Sequence, residues 1–417
     1  MTGTADASGT TDGDLGLDLD AAIASYPMVR AASCPFDPSP VLRAERQEGP
    51  LSRIRLWNGR IAWMVTGYSE LRALLTDARL SADVTRPGFP TPVPVTGERT
   101  SGFAQMDDPE HARLRRMVQG QFTARRMELR RPAVQRIVDD RIDELLAGPR
   151  PADLVTALAR PVPSMVICEL LGVPYDEHAY FQRLGGLILG RTSSLEERVD
   201  AMNSLHAYLA DLVDRKAGAP GDDLLSGLVE PVRAGELTHA EAAEMGALLL
   251  FAGFETTANQ IALSILALLL HPEQLDLLRT ADDPQVTAGA VEELLRHISI
   301  VQTGILRVAL EDIECAGEVI RAGEGVVLAI DIADRDPGAH PGDPDRLDIR
   351  RDAHRHVALG HGAHQCLGGP LARLELQITY DTLFRRIPTL SLAVEPHEIA
   401  FTTDAVIHGV HELPVTW

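Results

Sequence analysis

Apolar positions recur at a helical period over most of the chain, and clear strand signals fall in two places, one early and one late. In the early region Arg53-Ile54-Arg55-Leu56 alternates, Asn58-Gly59 suits a two-residue type I′ turn, and 61–66 returns as a second strand. A second β region is predicted over 313–330, punctuated by Ala316-Gly317 and Ala322-Gly323. Helices are predicted over 68–75, 111–122, 133–146, 195–215, 240–270, 288–296 and 370–385. Helix far outweighs strand. The pattern predicts one large, mainly α domain over 26–417 with a small β-rich portion.

The longest helix is bounded by its own chemistry. Thr238-x-x-Glu241 reads as a capping box, and His271-Pro272 ends the run. At 1.5 Å per residue it would be about 48 Å long. Because it is apolar around most of its circumference, it should cross the middle of the protein. One stretch breaks the pattern: Ala252-Gly253-Phe254-Glu255-Thr256-Thr257 puts a glycine and a charge into a buried rod. Read alone, this is either a tolerated kink with a surface-facing glutamate or a site.

Composition narrows the function classes. With 39 basic against 60 acidic residues the net charge is −21, which disfavours nucleic acid and anionic membranes as partners. Aromatics make up 4%, too few for stacked-base recognition. Residues 1–25 are rich in Thr, Gly and Asp and are expected to be disordered. They carry neither the basic start nor the apolar stretch of a secretory signal, and the apolar run at 261–270 is short for a bilayer. A soluble, cytoplasmic protein is expected. Cys34, Cys168, Cys315 and Cys366 are far apart and form no CxxC pair.

Chemistry concentrates at Leu359-Gly360-His361-Gly362-Ala363-His364-Gln365-Cys366-Leu367-Gly368-Gly369. Glycines on both sides of one cysteine allow tight turns and close approach to something flat or bulky. Pro370-Leu371-Ala372-Arg373 then opens a helix, whose N-terminus favours a thiolate. Cys366 is a metal-ligand or nucleophile candidate.

Gly360-x-Gly362-x-His364-x-Cys366-x-Gly368 resembles the haem-ligating loop of the cytochrome P-450 monooxygenases, especially soluble actinomycete members. Ala252-Gly253-Phe254-Glu255-Thr256 resembles the family's oxygen-activating segment, and Glu293-Leu294-Leu295-Arg296 its ExxR motif. The resemblance covers about 30–417. It implies the P-450 fold, with a long central helix over haem b (iron protoporphyrin IX).

By resemblance Cys366 is the iron ligand, with Gly360 and Gly368 shaping its loop. His111, Arg115, Arg307 and His364 match the positions that hold the haem propionates. Thr256 takes the main role in oxygen activation, Glu255 a proton-relay role, and Thr257 a structural one. Glu293 and Arg296 are implied to form a buried network with Arg346, bracing the cysteine loop. The family usually has Phe seven residues before the cysteine; Leu359 stands there, which would alter packing beneath the haem and its redox tuning.

The implied activity is insertion of one oxygen atom from O2 into a hydrophobic small molecule, by hydroxylation or epoxidation of a polyketide, macrolide, terpenoid or steroid-like compound. The pocket is expected to involve the 84–103 loop, with 87–92 as a lid, and 181–191, Leu248, Ala252, Ile300, Val301 and Val406. No flavin-binding glycine fingerprint is present, so the implied electron donor is a ferredoxin with its NAD(P)H-dependent reductase. Arg113, Arg116 and Arg373 are its docking candidates, and the protein is expected to be a monomer. Other readings stay open. The haem protein could be a peroxygenase, a nitric-oxide reductase or a sensor without turnover. A haem-free cysteine enzyme would use His364 as its base.

Overall fold

The computed structural model describes residues 23–417, apart from 29, 32–33, 93–101, 190–193 and 403–405. The expected disorder of 1–25 therefore falls mostly on residues outside this description. Ala24–Ser25, however, form a short strand parallel to Ile54 and Arg55.

Helices dominate, as the apolar period predicts. The helix Tyr68–Leu75 has the predicted bounds. The long helix runs His239–Leu270, and its capping box is formed: Thr238 Oγ1 accepts from Glu241 N at 3.1 Å and Glu241 Oε2 from Thr238 N at 2.7 Å. The helix is continuous through Gly253, where no break opens. A β-carbon at Gly253 would sit 3.4 Å from Ile167 Cδ1, so the glycine serves close packing against the helix Pro161–Leu171. Among the described residues His239–Leu270 is the one helix long and apolar enough to cross a membrane, although the run at 261–270 alone is not. Of its most apolar window, 67% is buried inside the protein. It is the axis of the main core, flanked by the helices Pro161–Leu171, Leu195–Gly218 and Gly369–Arg386.

Several helices have no strong sequence signal. Pro40–Glu48, Pro161–Leu171, His178–Leu189, Leu224–Arg233 and Pro272–Arg279 are short or lack a polar face. The helix Ala124–Ala147 starts well before the expected 133 and carries Pro132 inside it.

The six-stranded sheet orders Ala24–Ser25, Leu51–Arg55, Ile61–Val65, Gly325–Leu328, Ile305–Ala309 and Leu80–Ser81. Ile305–Ala309 escapes the alternation rule because Ile305-Leu306-Arg307-Val308-Ala309 does not alternate apolar with polar. The early hairpin does not use a type I′ turn at Asn58-Gly59. Gly59 alone is left-handed (φ 80°), its N–H bonds Leu56 O at 2.9 Å, and Leu56 N bonds Arg60 O at 2.8 Å. That is a three-residue loop. The turn with positive φ at both central residues lies at Ala316 (51°) and Gly317 (85°), between Ile313–Cys315 and Glu318–Ile320.

Candidate active site

Cys366 is held by a tight loop. Gly360 and Gly362 are left-handed (φ 72° and 76°), and a β-carbon on Gly362 would lie 2.6 Å from Leu75 O. Cys366 N bonds Leu359 O at 2.8 Å, and the helix Gly369–Arg386 begins directly behind. Burial pushes the Cys366 thiol up, while the backbone N–H groups of Gly368 and Gly369 and the charges of Arg115 and Arg373 pull it down. A β-carbon on Gly368 would meet nothing within 4 Å.

The sulfur opens on a cavity of about 400 Å³. Leu248, Ala252, Ile300 and Val301 line it as expected, together with Thr256, Phe103 and Leu359. Val406 does not. It is 52% exposed, and its carbonyl accepts from Gln302 N at 3.0 Å. The expected lid is also elsewhere. Gly88 packs on Gly323 O and Pro90 on Gly325, against the sheet, while 93–101 lie outside the described residues. None of Arg183, Leu184, Gly185, Leu187 and Ile188 lines the cavity; the other side chains of 181–191, and Ala405, lie outside the described residues.

Four cationic or ionisable groups gather at one margin. The His111 and His364 rings stack with centroids 4.0 Å apart, and His111 Nδ1 lies 3.0 Å from Asp108 Oδ1. Arg115 Nη2 donates to Gln365 O at 2.6 Å, and Arg307 Nη1 to Leu306 O at 2.7 Å. Burial, then Arg307, His111 and Arg115, push His364 down to about 3; burial lowers Arg307 to about 10. His111 Nε2 is buried and has no hydrogen-bond partner. Two partly buried guanidinium groups and two stacked imidazoles, one with an unpartnered ring nitrogen, beside a cavity suit an anionic group. A flat group with two carboxylates and a thiolate-seeking metal fits this donor set, so the residues present suit the porphyrin that the resemblance implies.

The two residues expected to activate oxygen separate. Thr256 lines the cavity, and its Oγ1 donates to Ala252 O at 2.6 Å. Glu255 is not part of the lining. It is half-buried and accepts from Asn259 Nδ2 at 2.9 Å. Thr257 is buried and also meets the cavity.

Glu293 and Arg296 form the expected buried pair, with a different third arginine. Arg296 Nε and Nη2 donate to Glu293 at 2.7 and 2.9 Å, and both side chains are fully buried. The third arginine is Arg351, 3.3 Å from Glu293 Oε1; Arg346 is exposed and contributes only its carbonyl, to Arg351. The docking candidates divide as well. Arg113 pairs with Glu110 and Glu241, Arg373 with Glu292, and Arg116 is exposed. Sequence reasoning missed Glu375, a fully buried carboxyl on the cavity wall that burial holds well above its usual range. Its one signal was a charge at a core position of the helix after Cys366.

A family model described as Cytochrome P450 matches residues 188–398. Cytochrome P450 GfsF of Streptomyces halstedii is 52% identical over 396 residues, covering 94% of this chain and 96% of that one. A crystal structure of GfsF matches with a TM-score of 0.90 at 51% identity, covering 94% of this chain and 100% of that one. Pentalenic acid synthase of Streptomyces avermitilis is 48% identical over 389 residues, 92% and 96% of the two chains. The mycinamicin VIII C21 methyl hydroxylase of Micromonospora griseorubida, bound to mycinamicin VIII, matches with a TM-score of 0.87 at 40% identity, over 95% and 100% of the two chains.

Proposed function

This chain belongs to the cytochrome P450 family, and on that premise we propose that it hydroxylates or epoxidises a hydrophobic small molecule with ferredoxin-supplied electrons. It is an oxygen-incorporating oxidoreductase that binds haem, as family members do. When bound, haem activates O2 reductively and delivers one oxygen atom to substrate carbon. The observation that carries the reading is that Cys366, Thr256 and the basic cluster all open on one largely apolar cavity.

In this reading Cys366 is the iron ligand. The N–H groups of Gly368 and Gly369 temper charge on its sulfur. His111 Nε2, Arg115, Arg307 and His364 hold the carboxylates of the cofactor. Thr256 Oγ1 gives up its bond to Ala252 O to pass a proton from water into the cavity. Glu255 relays that proton: once it swings from Asn259, its carboxylate takes a proton from solvent and hands it to the water beside Thr256. Glu293, Arg296 and Arg351 brace the loop.

The apolar lining and the relatives named for pentalenic acid and mycinamicin VIII support a terpenoid- or macrolide-like substrate. The reading is of a cytoplasmic monomer with one haem domain over 26–417. Its NAD(P)H-dependent reductase acts through a ferredoxin that docks near Arg116, the exposed member of the three candidates. One observation favours a peroxygenase instead: Glu255 lies off the cavity.

The test is the absorption spectrum after reduction and exposure to carbon monoxide. A Soret band shifted far to the red, lost in Cys366→Ser, is expected; absence of haem would overturn the reading. Spin-state titrations with macrolides and terpenoids then identify the substrate class. Product formed with the ferredoxin system but not with peroxide alone separates monooxygenase from peroxygenase.

A further inference from the structure

Glu292 and Glu293 are adjacent on the helix Pro284–Ile298, so their side chains leave it roughly 100° apart. Glu293 faces Arg296 and Arg351. Glu292, also buried, faces the two flanks of the cysteine loop instead. Arg373 Nε and Nη2 donate to its two oxygens at 2.6 and 2.8 Å. His356 Nε2 lies 3.1 Å from Oε2, and the N–H of Ala358 donates to His356 Nδ1 at 3.1 Å. An N–H pointing into Nδ1 requires the ring lone pair there. The ring proton is therefore on Nε2 and is donated to Glu292. One carboxylate thus ties Ala358, ahead of Cys366, to Arg373 behind it.

The third guanidinium nitrogen reaches the sulfur's own turn. A β-carbon on Gly369 would lie 3.3 Å from Arg373 Nη1, and the Gly369 N–H donates to the Cys366 carbonyl at 3.4 Å, closing the turn that carries the sulfur. A full positive charge therefore stands beside the turn that carries the sulfur, with a full negative charge directly behind it.

We propose that Glu292, His356 and Arg373 form a clasp that positions Cys366 and sets the electric field at its sulfur. The proposal rests on the reading of Cys366 as the haem ligand. All three act through that residue and are positioning residues. Arg373 favours added negative charge on the iron–thiolate unit, and Glu292 limits that effect. A purely structural brace would make the loss of either partner loosen the loop in the same way. A field-setting clasp makes the two losses opposite in sign.

The experiment measures the haem reduction potential of purified holoenzyme, with the reduced carbon monoxide spectrum beside it. Glu292→Gln, nearly isosteric, leaves the guanidinium unopposed and should shift the potential upward. Arg373→Gln leaves the carboxylate unopposed and should shift it downward. Arg373→Lys keeps the charge and should fall nearer the wild type. Shifts of one sign in Glu292→Gln and Arg373→Gln, or none, overturn the clasp. If Arg373→Gln fails to accumulate with haem, the sign in Glu292→Gln decides alone, a fall or no change being the adverse result. A wild-type protein lacking the red-shifted band would instead defeat the ligand reading of Cys366.

Discussion

Asn259 holds Glu255 at two points: its Nδ2 donates to the Glu255 carbonyl at 2.8 Å and to Glu255 Oε1 at 2.9 Å. Its other amide atom, Oδ1, abuts Gly409 so closely that a β-carbon there would come within 1.7 Å. The carboxylate is thereby drawn along the helix rather than into the cavity. Because it relays protons on leaving this parked position, Glu255→Gln should lower kcat by roughly 10²-fold. Haem content and substrate affinity should hold, and the solvent deuterium isotope effect should grow. A loss confined to substrate affinity would assign Glu255 to binding instead.

Thr256 poses a separate question, because its hydroxyl is engaged at Ala252 O, 2.6 Å away. Such back-bonding adds little to helix stability. Thr256→Ala should therefore fold and load normally, yet release more hydrogen peroxide and form about tenfold less product per electron. Thr256→Ser should recover most of the coupling. Unchanged coupling in the alanine variant would remove Thr256 from proton transfer.

The Glu293 network makes Arg351 and Arg346 distinguishable. Arg351 Nε is 3.3 Å from Glu293, and its two terminal nitrogens donate to Pro341 O and Asp343 O at 2.6 and 2.7 Å. Arg351→Ala should cost about 2–3 kcal/mol, since bonds to charged groups are lost, while Arg346→Ala should stay within about 0.5 kcal/mol. Urea midpoints of the two variants check this. Equal losses would restore Arg346 to the network.

The same contrast explains what the sequence could and could not disclose. Cys366, His364, His111 and Arg115 were readable because each belongs to a short motif or a single helix face, whereas Arg307, on the strand Ile305–Ala309, was placed by resemblance alone; all five line one cavity. The capping box at Thr238 and Glu241 was readable because it is local. Arg346 and Arg351 could not be told apart, because both lie in an irregular stretch whose path depends on long-range contacts to the buried Glu293. Val406 was misplaced for a related reason: its apolar side chain suggested a wall, but its loop is fixed by backbone bonding at Gln302. The type I′ turn was assigned to Asn58-Gly59 on residue preference, whereas the strands there are joined by a three-residue loop.

Lys216 is the one lysine in the sequence, and its side chain is only 15% exposed. Its Nζ lies 2.7 Å from Asp223 Oδ2, and Asp223 also caps the helix Leu224–Arg233 by accepting from Ser226 N at 2.8 Å. Gly172, left-handed at φ 76°, closes the same site; a β-carbon there would come within 2.2 Å of the Asp223 carboxyl carbon. Lys216→Met should cost roughly 2–4 kcal/mol, because a largely buried carboxylate loses its cation. Amine-directed acetylation should leave Lys216 unmodified in the native protein and modify it on unfolding. Ready native labelling would show that the pair is open.

Glu292 gives the clasp a pH signature in folding that is separate from its effect on haem. Burial alone would raise its carboxyl, but the hydrogen bonds from His356 and Arg373 outweigh burial and hold it near about 2. The group is thus depressed in the folded state relative to an ordinary glutamate near 4.5. A depressed carboxyl stabilises the fold fully above its unfolded value, and the contribution fades as pH falls from about 4.5 through about 2. A difference of that size corresponds to roughly 3 kcal/mol at neutral pH. Glu292→Gln should lower neutral-pH stability by an amount of that order. It should also flatten the acid limb, so that the two proteins converge in urea midpoint towards pH 2. Parallel curves for variant and wild type across the acid range would show that the carboxylate is not held by its two partners in solution.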